Sequence, residues 1–134
     1  MLPDEIKPAM EGVIPSVIVT SSAEGIPNAT FISQIFYIDA DHVALTHQFF
    51  NKTVRNIREN PYLTAMCTAP KTLQTFYLEL QFDHSETDGP LFDMMDMRLE
   101  AIASMTGMSG IFKLQAADVY RVLSVRKANI RVNP

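Results

Sequence analysis

Hydrophobic and polar positions alternate most plainly between Thr75 and Asp83. Phe76, Leu78, Leu80 and Phe82 fall on one side of an extended chain, and Tyr77, Glu79, Gln81 and Asp83 on the other, which predicts a half-buried strand. Other runs read as strands by composition. Ile14 to Thr20 is rich in Val and Ile, and Ala29 to Ile38 follows it across the loop Gly25-Ile26-Pro27-Asn28 as a hairpin. Val43 to Phe49 comes after the Asp39-Ala40-Asp41-His42 turn, then Leu63 to Thr68. A last strand covers Ile111 to Val125, with a break near Ala116-Ala117-Asp118.

Helical spacing is rarer. Leu91, Met95, Leu99 and Ile102 recur at three- and four-residue intervals beside an acidic stripe of Asp93, Asp96 and Glu100. This predicts a helix from about Pro90 to Met105, stopped at Gly107. Its four methionines (94, 95, 97 and 105) suit packing against a sheet or a partner. A shorter helix is expected after the third strand, with Asn51 as N-cap, Lys52 and Thr53 in the first turn, and Asn60-Pro61 as the stop. Asp4 to Met10 is a third, weaker candidate because of Pro8. The order implies antiparallel pairing and a mainly β fold: a six-stranded barrel with helices plugging its ends or gaps.

The chain has 134 residues, 47% hydrophobic and 19% charged, which suits a single domain spanning 1–134 with an ordinary core. A net charge of -4 argues against a general nucleic-acid binder. Cys67 is the only cysteine, so no internal disulfide forms. Its apolar setting predicts a buried, inert thiol. The start of the chain lacks the pattern of a signal peptide, and no apolar run reaches the roughly 20 residues of a membrane helix. A cytoplasmic protein is expected.

The most informative stretch is Thr46-His47-Gln48-Phe49-Phe50-Asn51-Lys52-Thr53-Val54-Arg55-Asn56. A strand ends in polar residues and feeds a helix start, where free N–H groups and the helix dipole suit a phosphate. Lys52 adds a positive charge, Thr53 and Asn51 add short hydrogen-bonding groups, and Arg55 is one turn away. An ordinary capped helix with a solvated lysine is the alternative. Ser33 and Gln34 interrupt the apolar run Phe31 to Phe36, and buried polar groups there need partners. A ring system with amide-like edges would supply them, and so would backbone groups. Neither a glycine-rich phosphate loop nor GxGxxG is present. His42 reads as turn chemistry, and Asp83-His84-Ser85-Glu86-Thr87-Asp88 as a solvated loop whose spacing matches no carboxylate metal site. His47, beside the proposed phosphate helix, is open to either a cofactor contact or a surface role.

Taken in order, these segments resemble the pyridoxamine 5′-phosphate oxidase-like family, the FMN-binding split barrels. The matching features are Thr20 to Asn28, Phe31-Ile32-Ser33-Gln34, His47 to Ile57, and Glu59-Asn60-Pro61. The resemblance runs over residues 10 to 125. It implies a six-stranded antiparallel split barrel, a homodimer, and FMN in clefts at the subunit interface. Carried over by position, Lys52 and Thr53 correspond to the pair at the FMN phosphate, with Asn51 beside them. Thr46 and His47 correspond to a pair at the end of the preceding strand that also meets the cofactor. Phe31, Ile32, Ser33 and Gln34 belong to the strand along the flavin ring. Phe31 and Phe36 stand where the oxidases proper carry arginine and lysine, and no Arg/His tail precedes Pro134, so that particular activity is not expected.

The resemblance therefore implies an FMN-dependent oxidoreductase acting on a small, unspecified substrate. A non-catalytic flavin- or haem-binding module and a dimeric scaffold without cofactor are the alternatives. No residue stands out in the sequence as a general acid or base.

Overall fold

The computed structural model describes residues 1–47, 52–105, 107 and 114–128. A 3-10 turn (Asp4–Ile6) and the short helix α1 (Lys7–Met10) precede strands β1 (Ser16–Ser21), β2 (Pro27–Ile32), β3 (Phe36–Asp39) and β4 (His42–His47). Helix α2 (Lys52–Glu59) leads to β5 (Tyr62–Thr68) and β6 (Thr75–Glu86). Helix α3 (Pro90–Met105) and β7 (Ala116–Ala128) complete the described chain. All pairings are antiparallel, in one sheet of order β2-β1-β5-β6-β7-β4-β3.

The sheet has seven strands, not six, because the expected Ala29–Ile38 strand is two. Ser33, Gln34 and Ile35 separate β2 from β3, which lie at opposite edges of the sheet. The polar pair thus marks a crossing between edges. That crossing is fixed from the N-terminal side: the Ile35 N–H donates to the Met10 carbonyl at 3.0 Å. Gly12, with φ +84°, lies so close to the Ser33 carbonyl that a side chain there would collide with it.

The inner face of the sheet forms the main core. Phe76, Leu78 and Leu80 of β6 are buried, as their alternation predicts, against Leu63, Ala65 and Cys67 of β5. Cys67 is a shielded thiol whose pKa burial pushes up to about 12. Ile6, Ala9 and Met10 close one end of this core. A second cluster lies outside β4, where Met95 and Leu99 of α3 meet Phe36, Ala44, Leu114 and Ala117. β4 is thereby apolar on both faces. Met97 and Met105 remain exposed, so only part of the methionine stripe packs on the sheet.

Two other expectations need correction. The break foreseen at Ala116-Ala117-Asp118 does not occur: these residues pair with His47, Thr46 and Leu45. Asp83 to Glu86 is not a loop but the end of β6, with Ser85 opposite Asp118 and Glu86 opposite Ala117. Residues 48–49 and 111–113, included in the expected third and last strands, lie outside the described residues, as do residue 50 and the proposed N-cap Asn51.

Gly12→Ala forces both a strained backbone and a clash with Ser33. It should destabilise the fold by about 1–3 kcal/mol, read as a lowered melting temperature. A glycine replaced without loss of stability at this position would mean that the crossing is not held by this contact.

Candidate functional site

A cavity of about 690 Å³ opens between the inner faces of the sheet and α2. That size is ordinary for a small-molecule or cofactor site. Ile18, Thr30, Ile32 and Ser33 form one wall, with Phe31 exposed at the edge strand. Leu45, Thr46 and His47 come from β4. Phe82 and Ser85 of β6 face Asp118 and Tyr120 of β7, and Leu99 arrives from α3. The lining combines apolar side chains (Ile18, Ile32, Leu45, Val54, Ile57 and Phe82) with polar ones (Ser33, Thr46, His47, Arg58, Ser85 and Asp118).

The parity of these side chains depends on irregular pairing. Phe82 is opposite Tyr120, and Ser85 is opposite Asp118, so Asp83 is an extra residue between them. Uninterrupted alternation through Asp83 would instead bring His84 rather than Ser85 onto the inner face after Phe82. Phe82 and Tyr120 pack edge to face with centroids 5.5 Å apart.

Helix α2 roofs the cavity with Thr53, Val54, Ile57 and Arg58. Its pose is set by Asn56, buried, whose Nδ2 donates to Thr20 Oγ1 at 3.1 Å, and by Glu59, whose carboxylate accepts from the Ala23 N–H at 2.9 Å. Asn60-Pro61 ends the helix and ties it to β6: the Phe82 N–H donates to the Pro61 carbonyl at 2.7 Å. Lys52 is exposed and does not line the cavity, and neither does Arg55. Arg58 does, and the helix periodicity explains it. Positions 53, 54, 57 and 58 share one side, and 52 and 55 look elsewhere.

Of the residues singled out in the sequence, the structure gathers Phe31, Ile32, Ser33, Thr46, His47 and Thr53 around one cavity. Gln34 is buried but outside the lining, Lys52 is one residue from it, and Asn51 is not described. Ser85, Asp118, Tyr120 and Arg58 were missed. The alternation of β6 could not reveal Ser85 past the extra residue, and Asp118 was read as a strand break.

Three of these groups form a polar cluster. Ser85 Oγ donates to Asp118 Oδ1 at 2.6 Å, and Asp118 Oδ2 lies 3.6 Å from His47 Nδ1. His47 Nε2 is shielded from solvent and has no hydrogen-bond partner. Burial raises the Asp118 pKa, opposed by the Ser85 hydroxyl and by the proximity of His47. Burial, with the Asp118 charge added, also raises that of Tyr120. On the outer side of β6, His84 is held by Asp83 and Glu86, whose hydrogen bonds raise its pKa. Among the described residues no group of three or more His, Cys, Asp or Glu is placed to hold a metal.

An antiparallel sheet with a helix-roofed cleft defines a mainly β, barrel-type domain. The family model described as pyridoxamine 5′-phosphate oxidase matches residues 2–123, and the chain belongs to that family. No curated protein sequence matches the chain. Among solved structures, an FMN-binding protein from Syntrophomonas wolfei subsp. wolfei superposes with a TM-score of 0.75 at 17% identity, over 90% of this chain and 80% of that one. HupZ of Group A Streptococcus gives 0.72 at 16% identity, over 100% and 99%. The haem storage protein HutZ from Vibrio cholerae gives 0.61 at 18%, over 93% of each chain. At these identities the likeness is one of fold, the split barrel. No helix among the described residues is long and apolar enough to cross a membrane.

The raised pKa of Asp118 has a definite sign. Stability linked to its protonated form is fully present below the ordinary value of 3.8 and is lost as pH rises through the higher folded value. Asp118→Asn keeps an acceptor for Ser85 but cannot ionise. Its melting temperature should therefore match the parent in strong acid and exceed it by a few degrees near about pH 8. A parent that is the more stable at high pH would show that the carboxylate is compensated.

Proposed function

We propose that this protein binds FMN in the cavity beneath α2 and works as an FMN-dependent oxidoreductase on a small substrate. The supporting observation is the cavity itself. Its apolar walls, Ile18, Ile32, Leu45 and Phe82, suit an isoalloxazine ring, while Ser33, Thr46 and His47 offer polar atoms to the ring's edges. FMN would supply hydride and electron transfer, and the protein would bind it, orient it and exclude water.

The phosphate is assigned to the start of α2, where Thr53 lines the cavity and Lys52 stands next to it, exposed to solvent. One helix start suits one phosphate, which favours FMN over a dinucleotide. Arg58, at the other end of the roof, is the competing cation.

A homodimer belongs to this reading. The outer face of β1, β2 and β5 carries Val19 and Phe31, the latter 75% exposed, in register with Ala29 and Val17. Such a row is apolar surface that a second copy would cover. Sedimentation at micromolar concentration should give a dimer, and Phe31→Lys should shift it toward monomer.

The purified protein should carry the visible spectrum of a flavin. A haem spectrum instead would support a cofactor-binding role of the kind the name of HutZ states for that protein. Lys52→Ala should weaken FMN by roughly one to two orders of magnitude and leave the weaker binding of riboflavin nearly unchanged, because only the phosphate contact is lost. If Arg58→Ala alone has this effect, the cofactor runs the other way along α2. If neither does, the phosphate is not held by this helix.

A further inference from the structure

Asp83 and His84 touch although they are adjacent in sequence. Neighbours on a regular strand point to opposite faces, so the contact belongs to the register shift between Phe82 and His84, which brings both side chains to the outer side of β6. Glu86, two residues beyond His84, shares that side. Its carboxylate meets His84 Nε2 at 2.9 Å, while Asp83 meets Nδ1. A carboxylate only accepts, so both contacts are complete only when both ring nitrogens carry hydrogen, as in the imidazolium. The hydrogen bond to Asp83 and, after it, that to Glu86 raise the His84 pKa above its ordinary 6.5.

Two arrangements of this strand end compete. In the one observed, the extra residue leaves Ser85 inside, donating to Asp118 at 2.6 Å, and His84 outside. Uninterrupted alternation turns His84 inward and Ser85 outward. An imidazolium that turns inward exchanges two carboxylates for at most one, Asp118, and loses solvent. A neutral imidazole gives up much less.

We propose that His84 is a positioning residue for the cavity: its protonated ring, bridging Asp83 and Glu86, holds the register in which Ser85 faces inward, and deprotonation loosens that register. Neighbouring elements leave the bridge to these three side chains. On β7, Val119 is opposite His84 and Ala117 opposite Glu86, and Arg121 donates instead to Gln81 Oε1 at 2.8 Å. The pairing of β5 with β6 ends at Tyr62 and Gln81, short of His84. Among the described residues, no charged side chain of α3 lies within ion-pair distance of the ring. The bridge is partly exposed, so it acts locally rather than on global stability. Its contribution is fully present below pH 6.5 and is lost as pH rises through the higher folded value.

None of this depends on the flavin assignment, because the protein is tested free of ligand. The chain has 3 histidines, and His84→Gln identifies the ring signal in a proton NMR titration. His84 should titrate above 6.5, and Asp83→Asn or Glu86→Gln should return it toward that value. Amide exchange over Phe82 to Glu86, corrected for its intrinsic pH dependence, should quicken as His84 deprotonates. The change should be about two- to fivefold, the range an exposed ion pair supplies, with none along β5. In His84→Gln the same amides should exchange at the faster level at every pH. A His84 midpoint at or below 6.5 overturns the proposal. So does exchange over Phe82 to Glu86 that ignores the His84 titration, or that changes equally in β5. Failure to bind flavin would leave these readouts in place.

Discussion

The pairing of β6 with β7 decides what the cavity can do. It is the longest ladder in the sheet, and its register shifts twice, between Glu79 and Leu80 and between Phe82 and His84. Each shift exchanges which residues face inward, since side chains alternate along a strand. Before the second shift the inner face of β6 carries Phe76, Leu78, Leu80 and Phe82. After it, that face presents Ser85 and Asp118, and neighbouring β4 adds His47. A single inserted residue, Asp83, separates a hydrophobic core from a polar corner, and the rest of the site is arranged around that change.

The same irregularity marks the limit of what the sequence discloses. Alternation over Thr75 to Phe82 is strong because the burial it reflects is uniform, and the strand and its buried face follow directly. Helix α3 is legible for a similar reason, with Met95 and Leu99 at helical spacing and Pro90 and Met105 as its bounds. Asp83 to Glu86 is so rich in polar residues that it reads as a loop. It is a strand because Asp118 and Ala117 supply pairing partners distant in sequence. Tertiary pairing overrides local composition there. Ala116-Ala117-Asp118 reads as a break for the converse reason: small side chains look weak alone, but Ala117 is packed beneath α3.

Ser33 and Gln34 show an intermediate case. Their polarity was a visible anomaly, and its cause is topological. The chain leaves one sheet edge at Ile32 and joins the other at Phe36, and the turn is braced by Gly12 and by the Met10 carbonyl. The N-terminal segment thus serves the site without touching it. It fixes where Ser33 stands at the cavity mouth, while Gln34 is turned into the protein. One of the two adjacent residues joins the lining and the other supports the crossing.

Helix α2 illustrates how a buried polar contact can aim a functional face. Asn56 is a poor core residue by composition, but its hydrogen bond to Thr20 fixes the rotation of the helix about its axis. Once that rotation is set, Thr53, Val54, Ile57 and Arg58 must face the cavity and Arg55 must not. The sequence identifies the helix start as the place for chemistry but cannot tell which cation the rotation admits. Asp118 carries the complementary cost. An apolar residue between Leu45 and Ser85 would complete the core, and the carboxylate there is disfavoured in its charged form by burial. The Ser85 hydroxyl and His47 offset only part of that penalty. A charge kept at such a position, beside the His47 ring, is what makes this part of the cavity wall polar.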